Sequence, residues 1–229
     1  MKPLTIAIDG PAASGKSTLG YHLAQHLDYL YLDTGVLYRA VTWAALHQAI
    51  PIDDEAAVTR LAETAPIAVL PPTVADGRQA TIRCEDADIT WDIRSPEVNA
   101  AVSPVSAYPG VRAALTQRMR AMAAQGRIVM VGRDIGTVVL PDADLKFYVV
   151  ASDEARAQRR HAEMQAQGKA VTYEEVLANL RLRDAIDSSR AAAPLKAADD
   201  AVIFDTTRFT IEEMFGEAER LVRSRENGR

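Results

Sequence analysis

The stretch that most constrains this 229-residue chain lies near its start. Leu4-Thr5-Ile6-Ala7-Ile8 is a short apolar run of β-formers ending at Asp9-Gly10-Pro11, and reads as a buried strand followed by a turn. Gly10-Pro11-Ala12-Ala13-Ser14-Gly15-Lys16-Ser17 then fits G-x-x-x-x-G-K-[ST]. Leu19, Leu23, His26 and Leu27 follow at helical spacing, so a helix starts around Gly15. The glycines let backbone N–H groups turn inward around phosphate oxygens, and the helix adds its positive end. Lys16 can reach the β- and γ-phosphates, and the Ser17 hydroxyl can ligate Mg²⁺. At average residue usage such a match arises by chance in a chain of this length with a probability of roughly 1%. The segment predicts a site for a nucleoside triphosphate.

The rest of the chain extends the same alternation. Tyr29 to Leu32 is a second short strand, broken by Asp33-Thr34-Gly35, and Val36 to Gln48 carries Leu37, Ala40, Val41, Ala44 and Ala45 on one helical face. From Pro66 to about Arg94 the period changes. Ile67-Ala68-Val69-Leu70, Asp76-Gly77, Ala80 to Cys84 and Ile89-Thr90-Trp91 read as a small antiparallel insertion, with Asp-Gly as a hairpin signal. Ser95-Pro96 opens a helix, and another runs from Pro109 to about Gln125. Ile128 to Val131 and Leu145 to Val150 are strands, the second followed by Ser152-Asp153 and a helix to Gln167. Gly168 stops that helix, and Thr172 to Glu175 forms a capping box for the next. Ala201 to Phe204 is a last strand and Thr210 to Arg225 a last helix. Alternating strands and helices predict an α/β fold with five parallel strands covered by helices, plus the β insertion.

Composition removes several classes. Cys84 is the only cysteine, which excludes an internal disulfide framework and a Cys-based zinc site. The net charge of −5 argues against a surface that coats nucleic acid. Met1-Lys2-Pro3 leads straight into the first strand, and no apolar stretch reaches the roughly 18 residues of a membrane span. A cytoplasmic protein, off the membrane and monomeric, is expected. The four histidines show no metal-ligand spacing, Trp43 and Trp91 read as packing residues, and Cys84 as a small strand residue. Asp9 has three open readings: support of the phosphate loop, a contact to a Mg²⁺-bound water, or a structural turn.

The cations are lopsided, with 21 Arg among the 26 basic residues. Codon bias explains such a ratio, and so does phosphate binding by planar guanidinium forks; position decides between them. Arg39 lies one turn into the helix after Asp33-Thr34-Gly35, and Arg133-Asp134 follows a core strand, where open α/β sheets bind ligands. Arg156, Arg159 and Arg160 share part of a helical face, and Arg183, Asp187 and Arg190 cluster beyond the end of another helix. Two phosphorylated substrates facing each other need this many cations. The Asn-Lys-x-Asp motif of GTPases and the Leu-Ser-Gly-Gly-Gln signature of transport ATPases do not occur.

Ile8 to Thr18 resembles the opening of the bacterial cytidylate kinases, and Leu32-Asp33-Thr34-Gly35-Val36-Leu37-Tyr38-Arg39-Ala40 and Val131-Gly132-Arg133-Asp134-Ile135-Gly136-Thr137-Val138-Val139 are similar to that family too. So is Arg183-Asp184 through Asp187-Ser188-Ser189-Arg190 with Ala193-Pro194-Leu195, and the β insertion sits where the family carries its extra sheet. The resemblance implies a P-loop nucleoside monophosphate kinase with a core at 1–34, 126–157 and 196–229, a monophosphate-binding region at 35–125 with the insertion at about 66–94, and a helical lid at about 158–195. It implies transfer of the γ-phosphoryl of ATP to CMP or dCMP, with Mg²⁺ held in part by Ser17. Gly10, Pro11, Ala12, Ala13, Ser14, Gly15, Lys16, Ser17 and Thr18 would hold the ATP phosphates, with Arg156 and Arg160 closing over them. Thr34, Arg39 and Arg133 would grip the CMP phosphate, Ser103, Arg112 and Asp134 the cytosine edge, and Arg183 and Asp187 the ribose. Lys16, Arg133 and Arg190 would stabilise the transition state. Ser106, one turn from Ser103, competes for its role, and Thr34 stands where many members have Ser. A kinase for UMP or a non-nucleotide alcohol, and a slowly hydrolysing nucleotide sensor, are the competing readings.

Overall fold

The computed structural model describes residues 4–189 and 193–227. In chain order its elements are β1 (Thr5–Asp9), α1 (Lys16–Leu27), β2 (Leu30–Asp33), α2 (Gly35–His47), α3 (Glu55–Thr64), β3 (Ile67–Leu70), β4 (Thr81–Cys84) and β5 (Ala87–Asp88). There follow α4 (Pro96–Ala107), α5 (Pro109–Ala123), β6 (Ile128–Gly132), β7 (Leu145–Val150), α6 (Asp153–Ala166), α7 (Tyr173–Ser189), β8 (Val202–Asp205) and α8 (Ile211–Asn227).

A five-stranded parallel sheet in the order β2-β6-β1-β7-β8 forms the core, as the alternation predicts. β1 pairs with β6 from Thr5 opposite Ile128 to Asp9 opposite Gly132, and with β7 from Ile6 opposite Leu145. β8 joins β7 with Val202 opposite Phe147. Helices cover such a sheet on both faces, so its central strands are apolar throughout: every residue of β6 is buried. β1, β6 and β7 end at Asp9, Gly132 and Val150, and these carboxyl ends are where an open parallel sheet presents a ligand site.

The chain divides into two compact units, one made of Met1–Tyr29 with Gly126–Arg229 and the other of Leu30–Gln125. The second holds a three-stranded antiparallel sheet, β3-β4-β5, so the insertion is present, but its turns differ from the sequence reading. Asp76-Gly77 lies within a long connection, because Leu70 pairs with Thr81. The tight turn instead joins Cys84 to Ala87, with Glu85 at φ 54. Arg78 fills the long loop, donating to Asp76 and Asp88. Trp91 is not a packing residue: its indole is half exposed and donates to Asp76. Helix α3 was not read from sequence, although Asp54 caps it through the Ala57 N–H and Val58, Leu61 and Ala62 are buried at helical spacing.

The remaining helix starts follow local chemistry. Ser95 and Ser152 cap α4 and α6, accepting from the N–H groups of Val98 and Ala155. Thr172 and Glu175 exchange both bonds of a capping box, and Thr210 and Glu213 repeat it at α8.

Candidate active site

In the unit that carries β1, the loop from Gly10 to Gly15 is built around backbone conformations that ordinary residues avoid. Gly10 has φ 151, and a Cβ there would lie 2.1 Å from the Val149 carbonyl oxygen. Only glycine lets the chain leave β1 this close to β7. Ala13 takes φ 59, a strained value of the kind that clusters at ligand sites. The loop's carbonyls are drawn outward by protein donors. Arg156 Nη1 donates to Ala12 O at 3.2 Å, and the Thr206 hydroxyl to Ser14 O at 2.8 Å. Since C=O and N–H of one peptide point in opposite directions, the Ala13 and Gly15 N–H groups face the other way, into the concave side. Gly15 offers no side-chain cap to α1 and no acidic residue stands in its first turn, so the helix end suits an anion. Lys16 opens α1 and reaches back to Pro11 O at 2.9 Å. Ser17 and Thr18 follow it on α1. Among the described residues the fully buried Ser14 hydroxyl has no hydrogen-bond partner, the condition a phosphate oxygen would relieve.

Asp9 sits at the end of β1, 4% exposed. Its Oδ1 accepts the Ile135 N–H at 2.8 Å and its Oδ2 the Gly136 N–H at 2.7 Å. Burial pushes its pKa up to about 6, opposed by those two amides. Residues 135–139 form a wide turn in which Val139 N–H reaches back five residues to Asp134 O. Arg133 and Asp134 stand immediately before it, at the end of β6.

Arg183 and Asp187 lie within α7, one turn apart, not beyond a helix end as the sequence suggested, because no Gly or Pro interrupts the chain before Pro194. Arg133 Nε donates to Asp187 Oδ2 at 2.8 Å. Arg183 keeps surface exposure overall, but desolvation, and next the Arg133 charge, hold its guanidinium below the usual arginine pKa. A cation held down by a neighbouring cation marks a place that favours an anion.

The arginines of α6 are used differently. Arg156 is 3% exposed, ion-paired to Asp153 at 2.5 Å and Asp184 at 2.6 Å as well as bonded to the loop. Arg159 donates to the Thr206 hydroxyl and carbonyl. Arg160 is partly exposed beside Glu163. Ala12, Ala157, Val176 and Leu180 form one buried apolar cluster that joins the loop to α6 and α7. Arg190 lies outside the described residues. Thr206, Asp153 and Asp184 were not singled out from sequence; the position of Thr206 just past a strand's carboxyl end was the available signal.

In the other unit, Asp33 accepts the Gly35 N–H, and buried Thr34 precedes α2. Arg39 donates to Ile93 O and to Asn99 Oδ1. Arg112 on α5 is buried, donates to Ser106 O at 3.2 Å and lies over the Tyr38 ring at 5.6 Å. The Ser106 hydroxyl is spent on Ser103 O, while Ser103 is exposed on α4. Thr34, Arg39, Ser103 and Arg112 thus all belong to this unit.

Among the described residues no group of three His, Cys, Asp or Glu could cage a metal ion, and no helix is long and apolar enough to cross a membrane. A Mg²⁺ carried by nucleotide phosphates and waters needs only one or two protein oxygens, and the Ser17 hydroxyl beside the loop fits that requirement.

Comparison with known proteins agrees with the geometry. The profile described as cytidylate kinase matches residues 6–224. A cytidylate kinase of Herpetosiphon aurantiacus is 53% identical over 93% of this chain and 91% of its own length. One of Chloroflexus aggregans is 52% identical over 81% of each. An uncharacterized protein of Eubacterium ventriosum, known as a crystal structure, shares the fold with a TM-score of 0.53 at 10% identity, covering 96% of this chain and 99% of its own. The chain belongs to the cytidylate kinase family of nucleotide kinases.

Proposed function

We propose that this kinase transfers the γ-phosphoryl group of ATP to CMP or dCMP, giving ADP and the cytidine diphosphate. The observation that carries the donor half is the loop after β1, whose carbonyls are tied to Arg156 and Thr206 so that its N–H groups converge. In the reaction an oxygen of the acceptor phosphate attacks the γ-phosphorus, the bond from that phosphorus to the β–γ bridging oxygen breaks, and ADP carries the released charge. The acceptor is already anionic, so positioning and charge neutralisation do most of the catalysis and no general base is needed. Ser17 would hold in part the Mg²⁺ that enters with ATP, and that ion would supply charge neutralisation for the donor phosphates.

The chain's own residues supply the rest. Lys16 leaves Pro11 O for the phosphates, and Arg133 and Arg190 act on the transferring group. Gly10 to Thr18 hold the donor phosphates, with Arg160 turning onto them from its exposed pair with Glu163. For the acceptor, the reading assigns Thr34, Arg39 and Arg133 to the phosphate, Arg112, Ser103 and Asp134 to cytosine, and Arg183 and Asp187 to the ribose. Cytosine offers an amino donor that the Asp134 carboxylate accepts and acceptors that Arg112 meets; UMP would set a carbonyl against the carboxylate. The engaged hydroxyl of Ser106 favours Ser103 for the base contact. Arg156 supports the loop from behind. The setting expected for this chemistry is the cytoplasm.

The test is coupled ADP release from ATP and Mg²⁺ with CMP, dCMP, UMP, AMP, GMP and dTMP offered separately. Strong preference for CMP and dCMP is expected. Equal rates with every acceptor, or ATP loss that no acceptor stimulates, would overturn the assignment.

A further inference from the structure

Asp9 closes the first strand and precedes the phosphate loop, yet its carboxylate turns to another segment. Both oxygens accept consecutive backbone N–H groups, those of Ile135 and Gly136, at 2.8 and 2.7 Å. Two consecutive amides on one carboxylate fix two peptide planes, and with them the backbone torsions of Ile135. On the other side, the Asp134 carbonyl accepts from Val138 and Val139 at 2.9 and 3.1 Å. The peptide that carries Asp134 is therefore held from both ends, inside a buried layer. The approach is close: a Cβ on Gly136 would lie 3.4 Å from Asp9 Oδ2 and 3.1 Å from Lys146 Cδ. Among the described residues, each Asp9 oxygen accepts one of these amides and neither bonds a side chain of the phosphate loop. That arrangement decides among the three roles open from sequence.

We propose that Asp9 is a positioning residue for the acceptor, fixing Arg133 and Asp134 relative to the phosphate loop through the amides of Ile135 and Gly136. The proposal rests on the reading of Arg133 and Asp134 as CMP-binding groups. Its consequence is that donor and acceptor registration is written into one residue: Gly10 begins the donor loop at the next position, while the carboxylate sets where the acceptor loop leaves β6. Loss of the carboxylate therefore weakens CMP use more than ATP use. A residue that only supported the fold would weaken both together.

Asp9→Asn keeps the size but replaces one acceptor by an NH₂ group, so at least one of the two amides loses its partner. Three measurements on the full chain separate the outcomes. The wild-type rate with CMP, taken first, tests the substrate reading by itself. Amide exchange without any substrate tests the tie: at least one of Ile135 and Gly136 should exchange at least tenfold faster in the variant, with the amides of β1 and β6 unchanged. Steady-state kinetics test the role: KM for CMP should rise about tenfold and kcat fall, with KM for ATP within twofold of wild type. Gly136→Ala places a methyl group 3.1 Å from Lys146 Cδ and 3.4 Å from Asp9 Oδ2, crowding the amide that Asp9 holds, and should shift KM for CMP in the same direction by about threefold, which keeps the test available if Asp9→Asn folds poorly. Unchanged exchange at 135 and 136, or equal losses for ATP and CMP in either variant, would overturn the proposal.

Discussion

Arg156 offers the sharpest perturbation. Resemblance to the family sets it over the ATP phosphates, whereas its guanidinium is buried and bonded to Ala12 O, Asp153 and Asp184. Arg156→Ala leaves Asp184, whose side chain is 24% exposed and whose Oδ1 has no partner among the described residues, as an uncompensated charge. Removing one member of a buried ion pair costs about 3–5 kcal/mol. Asp153 is 38% exposed and keeps Arg181 at 2.9 Å, so its share is small and the lower figure applies. At roughly 2–4 °C per kcal/mol for a chain of this size, the ligand-free protein should melt about 6–12 °C lower. Circular dichroism without nucleotide measures it, and Arg156→Lys, which keeps one charge but not the three-way bonding, should fall between. The phosphate loop loses one of its outward ties, so KM for ATP should rise as a secondary effect. A ligand-free melting point within about 2 °C of wild type, together with a tenfold rise in KM for ATP, would show that the arginine serves the nucleotide directly and does not hold the loop to Asp153 and Asp184.

Thr206→Val keeps the shape but strips the hydroxyl from Ser14 O and Arg159, leaving buried groups unpaired at a cost of about 1–3 kcal/mol; thermal unfolding and KM for ATP should both worsen. Gly10→Ala drives a Cβ to 2.1 Å from the Val149 carbonyl oxygen, so calorimetric titration should find no ATP binding, and any folded protein should melt well below wild type. Ser103→Ala should raise KM for CMP while Ser106→Ala leaves it within twofold, read in the same coupled assay. The folded pKa of Asp9, about 6, lies above its unfolded value of 3.8, so the folded state holds this proton longer and stability from Asp9 is lost as pH rises between them. Between pH 5 and 7 that loss is about 1 kcal/mol, and denaturant titration should show the stability difference between wild type and Asp9→Asn changing by that amount across the window.

The sheet was legible because its strands are short apolar runs bounded by Gly, Pro and Asp, and because the helices between them carry their own start signals at Ser95, Ser152 and Thr172. α3 escaped because Asp53-Asp54-Glu55 and the alanines around Val58 blur its period, although Asp54 does cap it. The turn at Asp76-Gly77 was misplaced because the dipeptide signals a tight hairpin only when strands abut it; here Arg78 and its two carboxylates stabilise a longer loop. Motif glycines and the lysine were readable by spacing. The supports were not: Asp9 meets residues 126 and 127 positions away, and Thr206 meets Ser14 across 192. Contacts of that sequence separation leave no period to count.

The arginines show where sequence pattern stops and electrostatics takes over. Arg156 and Arg160 sit one helical turn apart in the same motif, and Arg183 follows on the next helix. Spacing alone gives all of them to phosphate. Their neighbours separate them. Arg156 is surrounded by two carboxylates and a carbonyl, so its charge is already answered inside the protein and adding a phosphate there would gain little. Arg183 is exposed at the surface, yet desolvation and next the Arg133 charge lower its pKa, with Arg160 acting the same way and Asp187 and Asp184 opposing. Asp187 already pairs with Arg133, and an added dianion would lower the remaining repulsion. A buried cation balanced by acids holds the protein together; one crowded by other cations is held in place for a ligand. By that criterion Arg156 belongs to the scaffold, and on the proposed acceptor reading Arg183 belongs to the site, with Arg133 beside it held in place by Asp187.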